Sequence, residues 1–127
     1  MNVSVLKYSR EFKFKRPIDE VAAFFTGAAQ LGSWLSPVLK IEAQLGGEIE
    51  FRAEKGFEHG ARYEVLDLPS HVVLSTDKFG AIDARFKEVD GATIAQLTFT
   101  SEPAGESNFE KVASEAATRF IAMVNYK

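Results

Sequence analysis

The sequence predicts an α+β domain in which a strongly curved antiparallel sheet of six or seven strands grips one long C-terminal helix. Three observations indicate this class: runs of alternating apolar and polar residues, turn residues between those runs, and a helical apolar stripe near the end of the chain. Strands joined by tight turns pair as an antiparallel meander, and such a sheet must twist and curl to surround a helix. With 127 residues, we expect one domain over 1–127.

The first predicted elements are a strand and two short helices. Large apolar residues alternate with lysines up to Phe14, which is typical of a half-buried strand that starts late. Pro17 suits the first helical position, and the apolar spacing after it predicts an amphipathic helix over 18–26. A second helical turn fits 28–35 and ends before Pro37.

Six further strands follow in regular order, because apolar residues recur with a period of two between glycine- or proline-containing turns. The predicted strands cover residues 38–43, 49–53, 59–65, 72–78, 81–89 and 93–100. Curvature of this sheet opens its concave side, where we expect a small apolar pocket.

The last element is the clearest. Its apolar residues recur at helical spacing and form one stripe: Phe109, Val112, Ala113, Ala116, Ala117, Phe120, Ile121 and Val124. Ser107 and Glu110 form a capping-box pattern that marks the start of the helix. The alanines allow close approach to the sheet, while Phe109 and Phe120 point towards the space beneath the helix.

Composition excludes several classes of protein. The net charge of −3 argues against nucleic acid as a partner, and the absence of cysteine excludes disulfides and thiolate metal sites. No apolar run reaches the length of about 18 residues that a membrane span needs. The early charges leave no signal-peptide apolar region, so we expect a cytoplasmic protein. Eleven phenylalanines suit a core or the wall of a lipophilic pocket.

Four stretches in this order carry a family resemblance: FKRPIDEVAAFFT, LGSWLSP, LGGEIEFR and YEVLDLPSHVVLST. Together with the final helix, they make the chain similar to the START-like superfamily, also called SRPBCC, which shares the helix-grip fold of Bet v 1. Within it, the chain most resembles small bacterial proteins related to the heat-shock protein ATPase activator. The chain departs from the family in a short loop before the final helix and in Phe109, where Trp is frequent.

The resemblance implies a cavity that binds a small hydrophobic or amphipathic molecule, and in some branches catalysis inside that cavity. Three polar residues share the inward parity of their strands. Arg10 could bind an anionic ligand group, or could be ion-paired or solvated. His59 could be an acid or base, or a histidine bonded to backbone near a strand end. Tyr63 could hold the polar end of a ligand.

The remaining candidate ligand-binding residues are aromatic. Trp34 could line the pocket mouth or wedge the short helices against the sheet. The expected apolar walls of the pocket are Phe12, Phe51, Phe109 and Phe120. We predict no catalytic residue, no metal site and no cofactor, since neither nucleophile nor phosphate-loop motifs occur and two histidines lack acidic partners at ligand spacing.

Three hypotheses for function follow. The first is a non-enzymatic protein that binds a small hydrophobic molecule, as in lipid binding. The second is a co-chaperone-like module whose partner is a chaperone or other protein. The third is a cyclase- or hydratase-like enzyme that uses His59, Tyr63 and Arg10. A binder has a closed apolar cavity, an adaptor a filled core, and an enzyme polar groups that converge inside a cavity. The oligomeric state cannot be read from the sequence.

Overall fold

A computed structural model describes residues 6–54, 57–77, 79–101 and 109–125. Within them, seven antiparallel strands form one sheet in the order β1-β7-β6-β5-β4-β3-β2. The strands are β1 Lys7–Phe14, β2 Val38–Ile41, β3 Glu48–Glu54, β4 Phe57–Asp67, β5 His71–Thr76, β6 Gly80–Val89 and β7 Ala92–Thr100. The predicted α+β class and its helix-grip arrangement are therefore confirmed.

The helices lie where the apolar spacing predicts them. They are α1 Ile18–Ala22, a 3-10 turn Ala23–Phe25, α2 Ala28–Trp34 and α3 Phe109–Asn125. Pro17 differs from the prediction: its backbone is extended, so it precedes the first helical residue. Its carbonyl accepts hydrogen bonds from the amides of Glu20 and Val21 at 3.1 and 3.2 Å, which closes the first turn.

β1 and β7, the first and last strands along the chain, are neighbours in the sheet, and their pairing fixes the position of α3. β1 pairs with β7 over its whole length, with Arg10 opposite Leu97. The sheet therefore has β1 at one edge and β2 at the other, and α3 packs against β1 and α2. The predicted capping residue Ser107 falls within 102–108 and so lies outside the described residues.

The helix α3 buries the stripe that the sequence predicts. Six of its residues are buried, namely Phe109, Ala113, Ala116, Ala117, Phe120 and Val124. Two side-chain hydrogen bonds join its C-terminal half to other segments. The Arg16 guanidinium donates to the carbonyl of Val124 at 2.7 Å, and Arg119 Nε donates to the carbonyl of Trp34 at 2.9 Å. These bonds fasten α3 to α2 and to the segment that follows β1.

The strands β2 to β5 carry three irregularities. The register shifts between Val38 and Lys40, between Phe51 and Glu54, and between Tyr63 and Val65. An extra residue in one strand bends it and increases its twist. The pairs β1–β7 and β6–β7 show no register shift, so the bending irregularities are concentrated in β2 to β5.

Candidate functional site

The space beneath the middle of α3 is occupied by aromatic rings. The ring of Phe120 lies 5.1 Å from Trp34, 5.5 Å from Phe25, 5.7 Å from Phe14 and 6.3 Å from Phe24, measured between ring centres. All four contacts are edge-on or tilted, and edge-on packing is favoured for aromatic pairs. Phe120 and Trp34, both predicted to line a pocket, thus meet in a packed cluster.

The polar groups of Tyr63 and Trp34 bond to the short helices. The Tyr63 hydroxyl is buried and donates to the carbonyl of Phe25 at 2.6 Å. Its burial raises the pKa of the Tyr63 phenol well above its usual value. Trp34 Nε1 donates to the carbonyl of Phe24 at 2.9 Å, so Trp34 wedges α2 against the 3-10 turn. Both side chains pack and bond within the fold.

Arg10 lies at the rim of the inner face. Its side chain is exposed, and its guanidinium donates to Thr118 Oγ1 on α3 at 3.3 Å. This exposure follows from topology, because β1 is an edge strand and its inner row meets the flank of α3. Phe12 is half-buried on the same row, whereas Phe109 is buried at the start of α3. The polar groups of Arg10 and Tyr63 therefore bond to separate partners, one exposed and one buried.

His59 and Phe51 lie together on the inner side of the sheet, in the half made by β2 to β5. They are register partners across β3 and β4, and their rings stack at 5.0 Å with 27° between planes. His59 Nε2 lies 3.3 Å from the hydroxyl of Ser36, which is only 7% exposed. Phe51 is itself buried, so His59 bridges the core and the surface at this end of β4.

A groove of about 590 Å³ lies beside His59 and crosses β2, β3, β4 and β5. Its charged lining residues come mainly from the outward-facing positions of the strands, which are exposed. Five carry carboxylates and two are cationic: Glu42, Glu48, Glu50, Glu64, Asp77, Lys40 and Arg62. This groove is open and polar, unlike the apolar pocket predicted beneath α3, and it holds three formal negative charges in excess.

The cations of the groove face carboxylates across the strands. Arg62 Nη2 lies 3.2 Å from Glu48 Oε1, and the two side chains are 56% and 69% exposed. Lys40 is the register partner of Glu50. Exposed pairs of this kind contribute only about 0–1 kcal/mol to stability. A cation from another molecule can therefore replace Arg62 or Lys40 beside these carboxylates at little cost.

Gly60 and Asp77 shape one end of the groove. The Gly60 amide donates to Asp77 Oδ2 and the Asp77 amide donates to the Gly60 carbonyl, both at 3.0 Å. A side chain at position 60 would place its Cβ 2.7 Å from the carbonyl oxygen of Ile49, closer than real contacts allow. Glycine therefore lets β3 and β4 approach closely here while Asp77 keeps its charge at the surface.

Sequence reasoning missed these groove residues. The alternation in the runs that became β2, β3 and β4 predicts strands but marks none of their outward charged residues as a candidate, and the same holds for Asp77. The available signal was Glu48 and Glu50 on the outward row of β3, next to groove residues of the β2 and β4 rows that carry one cation and one carboxylate each. The groove itself needs four strands in register, so the pattern along one strand does not define it.

The described part of the chain was predicted to hold neither a metal site nor a membrane span. Within it, no three or more His, Asp or Glu side chains lie together as a metal site. The same residues contain no helix that is long and apolar enough to cross a membrane.

Several solved structures share this fold. A Mesorhizobium loti protein superposes with a TM-score of 0.79 at 9% identity, covering 94% of each chain. An AHSA1-like protein from Aeromonas hydrophila gives 0.73 at 18% identity and covers 94% of this chain and 92% of its own. The Aha1 dimer from Colwellia psychrerythraea gives 0.73 at 14% identity and covers 93% and 92%. At these identities the likeness shows the fold.

The family itself is shown by sequence. Comparison with curated proteins gave no match. A family model does match, over residues 15–123, and its description is Activator of Hsp90 ATPase homolog 1-like protein. This match and the helix-grip fold support a ligand-binding or co-chaperone-like module of SRPBCC type. The chain belongs to the Activator of Hsp90 ATPase homolog 1-like family.

Proposed function

We propose that this protein is a non-catalytic, co-chaperone-like interaction module that holds a basic segment of a partner protein in the groove across β2–β5. The observation that carries the proposal is the charge of that groove, where five carboxylates stand against two cations. Opposite charge raises the association rate and selects the partner, because it steers encounters and rejects acidic surfaces.

The interior supports this choice over a small apolar ligand. Phe120 and its four aromatic neighbours occupy the space beneath the middle of α3, and the Tyr63 and Trp34 polar groups bond to backbone carbonyls. A filled core with a recognition surface outside is the arrangement expected of an adaptor. The family description names activation of an ATPase, which a non-catalytic module achieves by contact with that enzyme. The predicted small apolar ligand and the cytoplasmic location stay predictions.

The dimensions and lining of the groove indicate the length and composition of the partner segment. Four strands spaced by about 4.8 Å give a crossing of about 15 Å, which an extended segment of about five residues spans. Such a segment needs cations on one side and no bulky apolar anchor, since the lining is largely charged. A lysine- and arginine-rich loop or terminus meets these requirements.

The test measures fluorescence anisotropy of a labelled Lys/Arg-rich peptide of about eight residues, long enough to cross the groove. We expect saturable binding that weakens as salt rises, because exposed charges are screened within about 10 Å at 0.1 M ionic strength. The double variant Glu50→Gln with Glu64→Gln should weaken binding about two- to thirtyfold, since each of the two exposed pairs contributes about 0.2–1 kcal/mol.

The matched control is Glu110→Gln with Glu115→Gln, which also removes two exposed carboxylates, here from α3 on the opposite side of the sheet. It should leave peptide affinity unchanged. Equal losses in the control and in the groove variant would show that only net charge matters and would overturn the proposal. Binding of a fatty acid that Ala117→Phe abolishes, with no binding of the basic peptide, would instead favour the small apolar ligand.

A further inference from the structure

The two edges of the sheet differ in how they are protected. β2 has four residues, follows Pro37 and carries a register shift. Short strands, prolines and bulges are the usual ways to block an edge from pairing with another chain. β1 has eight residues paired with β7 in an unbroken register and contains no proline. Among the described residues, β1 pairs on one side only.

The backbone groups on the free side of β1 can be identified. The Leu6 carbonyl accepts from the Ser101 amide at 2.9 Å, so the groups of Leu6 point towards β7. Because these directions alternate along a strand, the amides and carbonyls of Lys7, Ser9, Glu11 and Lys13 point away from the sheet. The side chains of these four residues lie on the outer face, where they are exposed.

We propose that β1 pairs with β1 of a second copy of this chain, antiparallel about a two-fold axis at Ser9. In this register Lys7 faces Glu11 of the second copy and Glu11 faces its Lys7. On the inner face, Tyr8 lies opposite Arg10 of the second copy, which suits a cation–π contact. The outward backbone groups of residues 7, 9 and 11 then form about six hydrogen bonds.

The charge pattern selects this register from its neighbours. An axis at Arg10 would place Arg10 against Arg10 and Lys7 against Lys13. An axis at Glu11 would place Glu11 against Glu11. Like charges directly opposite each other destabilise a strand pair. Of the three axes, the one at Ser9 places both outer-face charges within 7–11, Lys7 and Glu11, opposite a residue of opposite charge.

The test is sedimentation velocity of the full chain over a range of concentrations. We expect a reversible dimer with a dissociation constant on the order of micromolar, because paired edges form small interfaces. Ser9→Pro removes one outward amide at the axis without touching a β1–β7 hydrogen bond, since proline is tolerated on an edge strand when its nitrogen faces away. This variant should stay monomeric while its circular dichroism and unfolding remain those of a folded domain.

A charge exchange tests the register. Lys7→Glu should weaken the dimer about tenfold or more, because it creates two Glu–Glu contacts per dimer, and adding Glu11→Lys should restore it. Lys87→Glu, the matched control on the outer face of interior strand β6, should leave the dimer unchanged. A strengthened dimer in Lys7→Glu, a dimer unaffected by Ser9→Pro, or a wild-type chain that stays monomeric throughout would each overturn the proposal. None of these outcomes bears on the basic-peptide test of the groove.

Discussion

The two faces of β3, β4 and β5 differ in role: residues on the inner face form the core, and residues on the outer face line the groove. On the inner face, Phe51, Tyr63 and Leu74 are at most 1% exposed and belong to one core. On the outer face, Glu50, Arg62 and Glu64 next to Phe51 and Tyr63 carry charges of the groove, and Ser75 next to Leu74 lines it. Because alternate side chains point to opposite faces of a sheet, stability and recognition are separated by one residue along the chain. Substitutions on one face should therefore leave the property of the other face intact.

The largest effect is expected from Phe120→Ala on the inner face. Phe120 touches four other aromatic rings and is 1% exposed, so its removal leaves a cavity that the surrounding rings cannot fill. We expect a loss of about 3–5 kcal/mol in the free energy of unfolding, measured by urea denaturation. A loss below about 1 kcal/mol would show that the space beneath α3 is not packed.

The neighbouring residue on α3 provides the control. Ile121 is half-buried, so Ile121→Ala removes apolar contact at the rim of the same helix without opening the aromatic cluster. Its cost should be clearly smaller than that of Phe120→Ala. If both variants remain folded, both should bind the basic peptide with wild-type affinity, because neither residue lines the groove.

An intermediate effect is expected from Tyr63→Phe, which deletes one hydroxyl from the inner face. The Phe25 carbonyl loses a donor at 2.6 Å in a buried setting, which costs about 1–3 kcal/mol. Calorimetry or urea denaturation at neutral pH measures this difference. A variant as stable as the wild type would contradict a structural role for the hydroxyl.

The same variant has a pH signature. Burial raises the pKa of the folded Tyr63 phenol, whereas the unfolded phenol ionises near about pH 10. The folded state therefore binds more protons above that pH, and wild-type stability falls there by up to about 1.4 kcal/mol per pH unit from this group. Tyr63→Phe lacks this slope, so the stability gap between the two proteins should be full below about pH 10 and should narrow above it.

The inner face was far more predictable than the outer one. Period-two alternation and the α3 stripe are local patterns, and they predicted every described strand and the helix that packs on the sheet. The convergence of Trp34 and Phe120 was not predictable, because they are distant in sequence and meet through α2 and α3. Arg10 was placed on the correct row, yet its exposure depends on β1 being an edge strand. The groove depends on register across four strands, which alternation along one strand does not encode.

The smallest effect on stability is expected from Arg62→Met on the outer face, and this variant should bind the basic peptide more tightly. Arg62 is exposed and its pair with Glu48 at 3.2 Å is screened by water, so its loss should change the free energy of unfolding by less than about 1 kcal/mol. The substitution also removes one of two cations from a groove that has five carboxylates. The basic peptide should therefore bind more tightly at low salt, and the gain should disappear as ionic strength rises.

Arg85→Met separates this groove effect from a general change in charge. Arg85 is an exposed residue of β6, pairs with Asp83 at 3.3 Å and does not line the groove. Arg85→Met changes the net charge by the same amount as Arg62→Met and breaks a comparable surface ion pair. Anisotropy titrations of both variants should show a gain in peptide affinity for Arg62→Met alone. Equal gains would mean that the peptide senses total charge, and a weaker complex in Arg62→Met would mean that Arg62 itself contacts the partner.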